Sequence, residues 1–135
     1  MRTAGIRTHD LVLVDRRGWR FEAIVSGREP GGTRFAIRPL RPAVSYRTAS
    51  AREIVAHWRA RPWASGRVSI RPIRPDDIVH FTCAKGSAVF GTVLKRDGSR
   101  LRVRRLERGA AGSNPVEPGA IVRHYARQGR RRRGS

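Results

Sequence analysis

The chain has 135 residues and a formal net charge of +20, which comes from 30 Lys and Arg residues against 10 Asp and Glu residues. Its 39% hydrophobic residues are enough for a modest core, but they nowhere form the run of ~20 that a membrane-spanning helix needs. Such an excess of positive charge destabilises a fold by self-repulsion, so it argues against a chain without partners and favours a polyanion, above all a nucleic acid.

Residues 1–10 lack the apolar segment of a signal peptide, so we expect a cytoplasmic protein, associated with the nucleoid or the ribosome. The single cysteine, Cys83, can form no disulfide within the chain, and no second cysteine supplies the spacing of a zinc site. We therefore expect a small buried thiol, no metal site and no cofactor.

Two halves of the chain carry the same motifs in the same order, about 67 residues apart. Residues 6–12, Ile-Arg-Thr-His-Asp-Leu-Val, correspond to residues 73–79, Ile-Arg-Pro-Asp-Asp-Ile-Val. Ile54–Trp58 corresponds in the same way to Ile121–Tyr125, and two more matching blocks lie between these ends. The order of the blocks predicts an internal duplication.

Each half is predicted to fold as short strands, because brief runs of β-branched and aromatic residues alternate with turn signals. The predicted strands are 11–14, 20–25 and 34–38 in the first half, and 78–81, 88–94 and 100–104 in the second. Asp97-Gly98 between two such runs predicts a hairpin. Only residues 49–60 compete as a helix, with Ser50 as its cap and Glu53 at its third position.

Three motifs of the first half resemble the SH3-like small barrels of the Tudor, Agenet and KOW type: Asp-Leu-Val-x-Val at 10–14, Gly-x-x-Phe-x-Ala-x-Val at 18–25 and Glu-Ile-Val at 53–55. The resemblance implies an all-β fold of two tandem SH3-like five-stranded small barrels. The last residues have no apolar anchor, so they are expected to form a disordered basic C-terminal tail. The expected boundaries are 1–60 for the first barrel, 61–72 for a linker, 73–126 for the second barrel and 127–135 for the tail. Such barrels serve elsewhere to bind nucleic acid, methylated peptides or protein partners.

Outward-facing arginines on the third strand of each half are the strongest candidates for a binding site. Alternate residues of a strand lie ~6.8 Å apart on one face, so these side chains would form a row. A guanidinium group binds phosphate through two parallel hydrogen bonds, which predicts contact with a nucleic-acid backbone. The row comprises Arg34 and Arg38 in the first half and Arg100, Arg102 and Arg104 in the second.

Further cations are expected at loop tips, where small barrels often bind ligands, and in the tail. Their role would be to extend the phosphate-binding surface. These residues are Arg16, Arg17 and Arg20 around the first turn, Lys95 and Arg96 in the second hairpin, and Arg130, Arg131, Arg132 and Arg133 in the tail.

The aromatic residues leave two interpretations open. Trp19 follows a glycine in the first turn, so it is either a core residue or an exposed indole that stacks on an unpaired base. Phe21 and Tyr46 are candidates for an aromatic cage, which would hold a methylated cation by cation–π attraction. The second half has Val89 in place of Phe21, so a cage is expected once at most.

The repeated His57 and His124 are expected to be structural, because each occupies the same place in a closing strand of its own half. Asp10 and Asp77 stand at matching strand entrances, where capping a turn is a sufficient role. Since no nucleophile with a base and no pair of carboxylates is evident, the chain is not expected to be an enzyme.

These observations predict a protein that binds nucleic acid through phosphates, with double-stranded DNA favoured over RNA and with weak sequence specificity. One alternative is a binder of structured RNA, associated with the ribosome. Another is a protein-interaction module, either a methyl-peptide reader or an adaptor for an acidic protein partner. No membrane partner is expected, and the oligomeric state stays open.

Overall fold

The computed structural model describes residues 5–63, 70–106 and 112–129. These residues form ten strands and one short 3₁₀ turn at Pro118–Ala120, so the predicted all-β class is confirmed. The chain divides into two compact units, Met1–Arg59 with Arg127–Ser135, and Ala60–Ala126. No helix of the described residues is long and apolar enough to cross a membrane.

The first unit is an antiparallel sheet in the order β4-β3-β2-β1-β5. Successive strands lie side by side, and the last strand returns to pair with the first. No pairing joins β4 to β5 in the described part of the chain, so the observed sheet is open and closure into a barrel is not established. The strands are β1 Leu11–Arg16, β2 Trp19–Arg28, β3 Arg34–Pro39, β4 Thr48–Ser50 and β5 Ile54–Arg61.

One core receives side chains from all five strands of the first unit. Every second residue of β2 from Phe21 to Val25 is buried, and in β3 Phe35 and Ile37 are buried while Arg38 is exposed. The outward direction predicted for Arg38 of β3 is therefore confirmed. The core consists of Ile6, Val12, Val14, Phe21, Ala23, Val25, Phe35, Ile37, Val44, Ala49 and Ile54.

The second unit repeats this sheet in the order β10-β6-β7-β8-β9. Leu101 and Val103 of β8 are fully buried, whereas Arg100 and Arg104 are exposed, as the alternation predicted. Gly91 of β7 lies so close to β8 that a Cβ there would clash with Val103 Cγ1 and lie 3.2 Å from the Arg104 carbonyl. The strands are β6 Ile78–Thr82, β7 Ala88–Asp97, β8 Arg100–Arg105, β9 Asn114–Val116 and β10 Ile121–Arg127.

Both units enter their first strand through the same hydrogen-bonded turn. Asp10 accepts a hydrogen bond from the Arg7 N–H at 3.0 Å, and Asp77 accepts the same bond from the Arg74 N–H at 3.0 Å. The predicted capping role of the two aspartates is therefore confirmed. The residue before each is left-handed, with φ 76° at His9 and 73° at Asp76.

Each unit also carries a β-bulge at the same point of its second strand. The register of β2 on β3 shifts between Val25 and Gly27, and that of β7 on β8 shifts between Val93 and Lys95. One surplus residue, Ser26 or Leu94, therefore stands in the strand without an opposite partner. A bulge increases local twist, which helps a short sheet to curl around its core.

The β7–β8 turn is centred one residue later than Asp97-Gly98 predicted. Asp97 still pairs with Arg100 in the ladder, so Gly98 and Ser99 are the two central residues. Gly98 has φ 65°, and glycine at the first central position suits a type II′ turn. The register thus keeps the Asp97 carboxylate on the strand.

The segment that competed as a helix forms β4, a turn and β5. The Ser50 N–H donates to Glu53 Oε1 at 2.9 Å, and the Glu53 N–H donates to the Ser50 carbonyl at 3.1 Å. These bonds resemble those of a helix cap, but here they close a tight turn. The Glu53 carboxylate also forms ion pairs with Arg16 of β1 and Arg34 of β3.

Candidate nucleic-acid interface

The outward face of the β7–β8 hairpin carries four cations of the second unit. The register places Lys95 directly opposite Arg102, and Arg104 opposite Thr92. Arg100 lies on the same face, because it alternates with the buried Leu101. We call Lys95, Arg100, Arg102 and Arg104 the hairpin basic surface.

Acidic residues neutralise this surface only in part. Arg102 Nε donates to Asp97 Oδ2 at 3.1 Å, and Arg100 lies 3.6 Å from the exposed Glu117 carboxylate. Exposed ion pairs of this kind contribute little stability, and their arginines can exchange partners at small cost. Lys95 and Arg104 have no acidic partner in the part of the chain that the structure describes.

Arg96, the remaining predicted cation of this hairpin, is exposed but lies outside the row. It stands opposite the buried Leu101, and so belongs to the other side of the strand. Its Nη1 is 3.5 Å from the Arg71 carbonyl, the long limit of a hydrogen bond.

The corresponding row of the first unit is weaker, because only Arg38 is fully available. Ala36 occupies the middle position, where the second unit has Arg102. Arg34 is drawn toward β4 and β5, with Nε 3.3 Å from Thr48 Oγ1 and Nη2 3.6 Å from Glu53 Oε1. The structure therefore distinguishes the two predicted rows, and the second is the more continuous.

Arg16 is held inside the first unit. Its guanidinium donates to both oxygens of Glu53 at 3.0 Å and to the Thr48 carbonyl at 2.7 Å. The hydrogen bonds from Arg16, more than the neighbouring Arg34, hold the pKa of Glu53 below its usual value. Arg16 thus joins β1 to the β4–β5 turn, and its planar group is occupied before any ligand arrives.

Arg17 and Arg20 are exposed on either side of Trp19 at the first turn. Arg17 has φ 54° and Gly18 has φ 88°, the pattern of a type I′ turn. Asp15 fixes this turn by accepting hydrogen bonds from the Gly18 N–H at 2.8 Å and from Arg20 Nε at 3.1 Å. These bonds, with the Gly18 N–H contributing most, lower the pKa of the Asp15 carboxyl.

The predicted aromatic cage is filled by the chain itself. Phe21 is fully buried and stacks on Tyr46 with ring centroids 5.6 Å apart. The Arg16 guanidinium lies over the Tyr46 ring at 4.2 Å, where a cage would hold its methylated cation. Phe21 and Arg16 therefore both occupy space at the Tyr46 ring that a methylated cation would need.

Trp19 is exposed, so its interpretation as a core residue is wrong. It retains 54% of its accessible surface and meets Tyr46 at 73°, with ring centroids 6.1 Å apart. Its position on β2 has the same parity as Phe21, but it lies beyond the end of the core.

The repeated histidines are buried, as expected of structural residues, and they lie beside the repeated aspartates. His124 Nε2 is 2.7 Å from Asp77 Oδ2, and His57 Nε2 is 3.7 Å from Asp10 Oδ2. Neither pair was predicted from the sequence, although an acid and a histidine that recur together in two repeats are a usable signal. Asp15, Glu53 and Asp97 were likewise not predicted as partners of the arginines.

Cys83 is only partly buried, which corrects the expectation of a buried thiol. It lines a pocket of about 330 Å³ in the second unit, together with Arg105 and residues of β9. Its Sγ is 3.3 Å from Ser87 Oγ, and this contact is the main cause of a lowered thiol pKa. The other predicted cations, Arg130, Arg131, Arg132 and Arg133, lie outside the described residues.

Known proteins add no identification to this geometry: no protein-family model, no curated protein and no solved structure matches the chain. Within the described residues, no group of three or more His, Cys, Asp or Glu side chains could hold a metal ion. The functional argument therefore depends on the charge and shape of the surfaces described above.

Proposed function

We propose that this protein is a non-enzymatic nucleic-acid-binding protein that recognises mainly the phosphate backbone of double-stranded DNA, with weak sequence specificity. The observation that carries the proposal is the hairpin basic surface. Arg102 lies between Arg100 and Arg104 on β8, and Lys95 of β7 lies directly opposite Arg102. Like charges directly opposite one another on a sheet are destabilising, and a row of phosphates would relieve the repulsion.

The proposed mechanism is electrostatic. Each Lys or Arg that neutralises a phosphate releases condensed counterions, so the affinity falls as salt rises. The paired strands hold the guanidinium groups on a rigid surface, which limits the entropy lost on binding. The weak pairs of Arg100 and Arg102 with acidic residues would be exchanged for pairs with phosphate.

We propose further that each unit is an SH3-like small barrel and that the two arose by duplication. The support is the shared frame: the same strand order, the same entry turn at Asp10 and Asp77, and a bulge at the same point. A core supplied by all five strands fits a sheet that curls on itself. A cytoplasmic location on the nucleoid belongs to the same proposal.

The test is the salt dependence of duplex binding, measured by fluorescence anisotropy between about 50 and 200 mM salt. The double variant Arg102→Gln with Arg104→Gln should lower the slope of log affinity against log salt by about two. Arg52→Gln, which removes an exposed arginine from the β4–β5 turn, is the matched control. An affinity that does not change with salt, or equal slopes in the double variant and the control, would refute the proposal.

A competition arm addresses the RNA alternative. Folded RNA and duplex DNA are added as unlabelled competitors at equal nucleotide concentration. Duplex DNA is expected to displace the probe at least as well as the RNA. If folded RNA displaces the probe at a much lower concentration than duplex DNA, the hairpin basic surface binds structured RNA in preference to DNA. RNA and DNA duplexes differ in phosphate spacing and groove geometry, so one surface can favour either.

A further inference from the structure

We propose that the first unit carries a stacking site for one unpaired nucleobase of a DNA single strand, built on Trp19 next to the turn that carries Arg17. The proposal rests on the nucleic-acid-binding function above and adds a preference that the hairpin basic surface does not provide. The two units then have different roles: the second binds phosphates, and the first binds an unstacked base.

The indole is held in place although it is exposed. Phe21 and the Arg16 guanidinium both lie over the Tyr46 ring, so Trp19 meets that ring edgewise at 73°. Tyr46 is itself fixed, because Arg16 is bound to Glu53. Trp19 thus ends an ordered series of rings that runs from the core to the surface, and 54% of it stays open. A pre-positioned ring loses little entropy when a base stacks on it.

The charge around the indole suits a nucleotide. Arg17 and Arg20 are exposed immediately before and after the Gly18-Trp19 pair. Arg17 has no acidic partner in the described part of the unit, while Arg20 is held by Asp15, which fixes the turn. Arg20 pairs with Asp15 on the opposite face of β2, whereas Trp19 pairs with Arg16. The exposed Arg17 of the adjacent turn is therefore the cation available to a phosphate beside a base on the indole, and an aromatic ring next to a cation is the combination found in sites for single-stranded nucleic acid.

An unpaired base fits this site better than a base pair. In a duplex the flat faces of the bases are covered by their neighbours, and only the edges are presented in the grooves. A protruding indole finds an open face in a single strand, where stacking on an aromatic ring is largely independent of sequence. The second unit has Ser87 and Ala88 at the corresponding positions, so one such site per chain is expected.

The test compares Trp19→Leu and Trp19→Phe, because leucine keeps apolar bulk without a ring and phenylalanine keeps a ring. The probes are a short oligothymidine strand and a blunt-ended duplex, measured by anisotropy at one salt concentration. Trp19→Leu should weaken oligothymidine binding roughly tenfold, Trp19→Phe should restore most of it, and duplex affinity should change less than about twofold. Val122→Ala removes a similarly exposed apolar side chain from the second unit and should change neither affinity.

Intrinsic fluorescence gives a second measurement. Oligothymidine should quench the wild-type emission, and the quenching should disappear in Trp19→Phe, since Trp58 is buried and Trp63 packs against the core of the second unit. Wild-type affinity of Trp19→Leu for the single strand, or equal losses for single strand and duplex, would overturn the stacking site. If either outcome occurs while duplex binding still weakens with salt, the stacking site is overturned and the proposed function stands. If the wild-type protein binds neither probe, the stacking site and the proposed function are both overturned.

Discussion

Asp77 and His124 lie 2.7 Å apart in the interior of the second unit, in contact through Oδ2 and Nε2. Asp10 and His57 hold the corresponding positions in the first unit, yet 3.7 Å separates the same atoms. Arg59 competes with His57 for this carboxylate, because it donates to both oxygens of Asp10 at 3.2 and 3.0 Å. The second unit has Ala126 at that position, so its histidine binds the aspartate directly.

His57 should make stability depend on pH. Burial lowers the pKa of His57 below its ordinary value of about 6.5, and the Asp10 charge opposes this only in part. The unfolded chain therefore binds the proton more tightly, so a contribution that is complete above about pH 6.5 is lost as the pH falls toward the folded pKa. In His57→Phe, the urea midpoint should fall less than in the wild type between about pH 7.5 and 5.

His124→Phe is the matched comparison. It leaves the buried Asp77 without its ring partner and should cost about 1–3 kcal/mol of unfolding free energy at neutral pH. Identical pH profiles for the wild type and His57→Phe would contradict the assigned role of His57.

Gly91→Ala should destabilise the second unit by about 1–3 kcal/mol, measured by urea unfolding. The new methyl group would clash with Val103 Cγ1 and crowd both Phe81 Cε1 and the Arg104 carbonyl, which cannot move without shifting β8. The corresponding residue of the first unit is Ala23, which is buried. Ala23→Gly should lower the unfolding free energy by only about 0.5–1 kcal/mol. A larger loss of unfolding free energy in Ala23→Gly than in Gly91→Ala would contradict the close packing described at Gly91.

Arg16 and Arg17 are adjacent arginines with opposite expected effects. Arg16→Gln should lower the unfolding free energy by about 2 kcal/mol, because it removes the paired bonds to Glu53 and a bond to the Thr48 carbonyl. Arg17→Asn should raise it by about 1 kcal/mol, because asparagine tolerates the left-handed φ of 54° better than arginine. Differential scanning calorimetry of the two variants checks both signs, and equal effects would mean that Arg16 is not bound as described.

The Cys83 thiol should react readily at neutral pH. The hydrogen bond from Ser87 lowers the pKa of the thiol, and the nearby Arg105 charge adds to this. The rate of alkylation by iodoacetamide should therefore rise with a midpoint at lower pH than that of an unperturbed cysteine, and Ser87→Ala should move that midpoint upward. Thr82→Ala, another residue lining the same pocket, serves as the control. A midpoint that is the same in Ser87→Ala and wild type would rule out the serine as the cause.

Local periodicity was sufficient to predict six of the ten described strands and the faces of β3 and β8. The alternation of Arg100, Leu101, Arg102 and Val103 predicted which side is buried, because a strand has a side-chain period of two whatever it packs against. The same reasoning predicted that Arg102 faces outward, which the register with Lys95 agrees with.

Contacts between distant segments were beyond such reasoning. Arg16 binds Glu53 across 37 positions of sequence, and nothing local distinguishes it from Arg17, which is exposed. The exposure of Trp19 likewise depends on where the core ends, which is decided by Tyr46 and its own partners. No local pattern indicated, either, that Arg16, a residue of β1, lies over the Tyr46 ring of the predicted cage.

The bulge in β7 has a consequence for where the charge of the second unit lies. If β7 and β8 paired without the bulge, continued alternation would set Leu94 opposite Arg102 and Lys95 opposite Leu101. The apolar side chain would then interrupt the row of cations, although the composition and the net charge would be unchanged. The location of the positive field is thus encoded in the number of residues along one strand, and an insertion or deletion there can relocate it without replacing a single arginine.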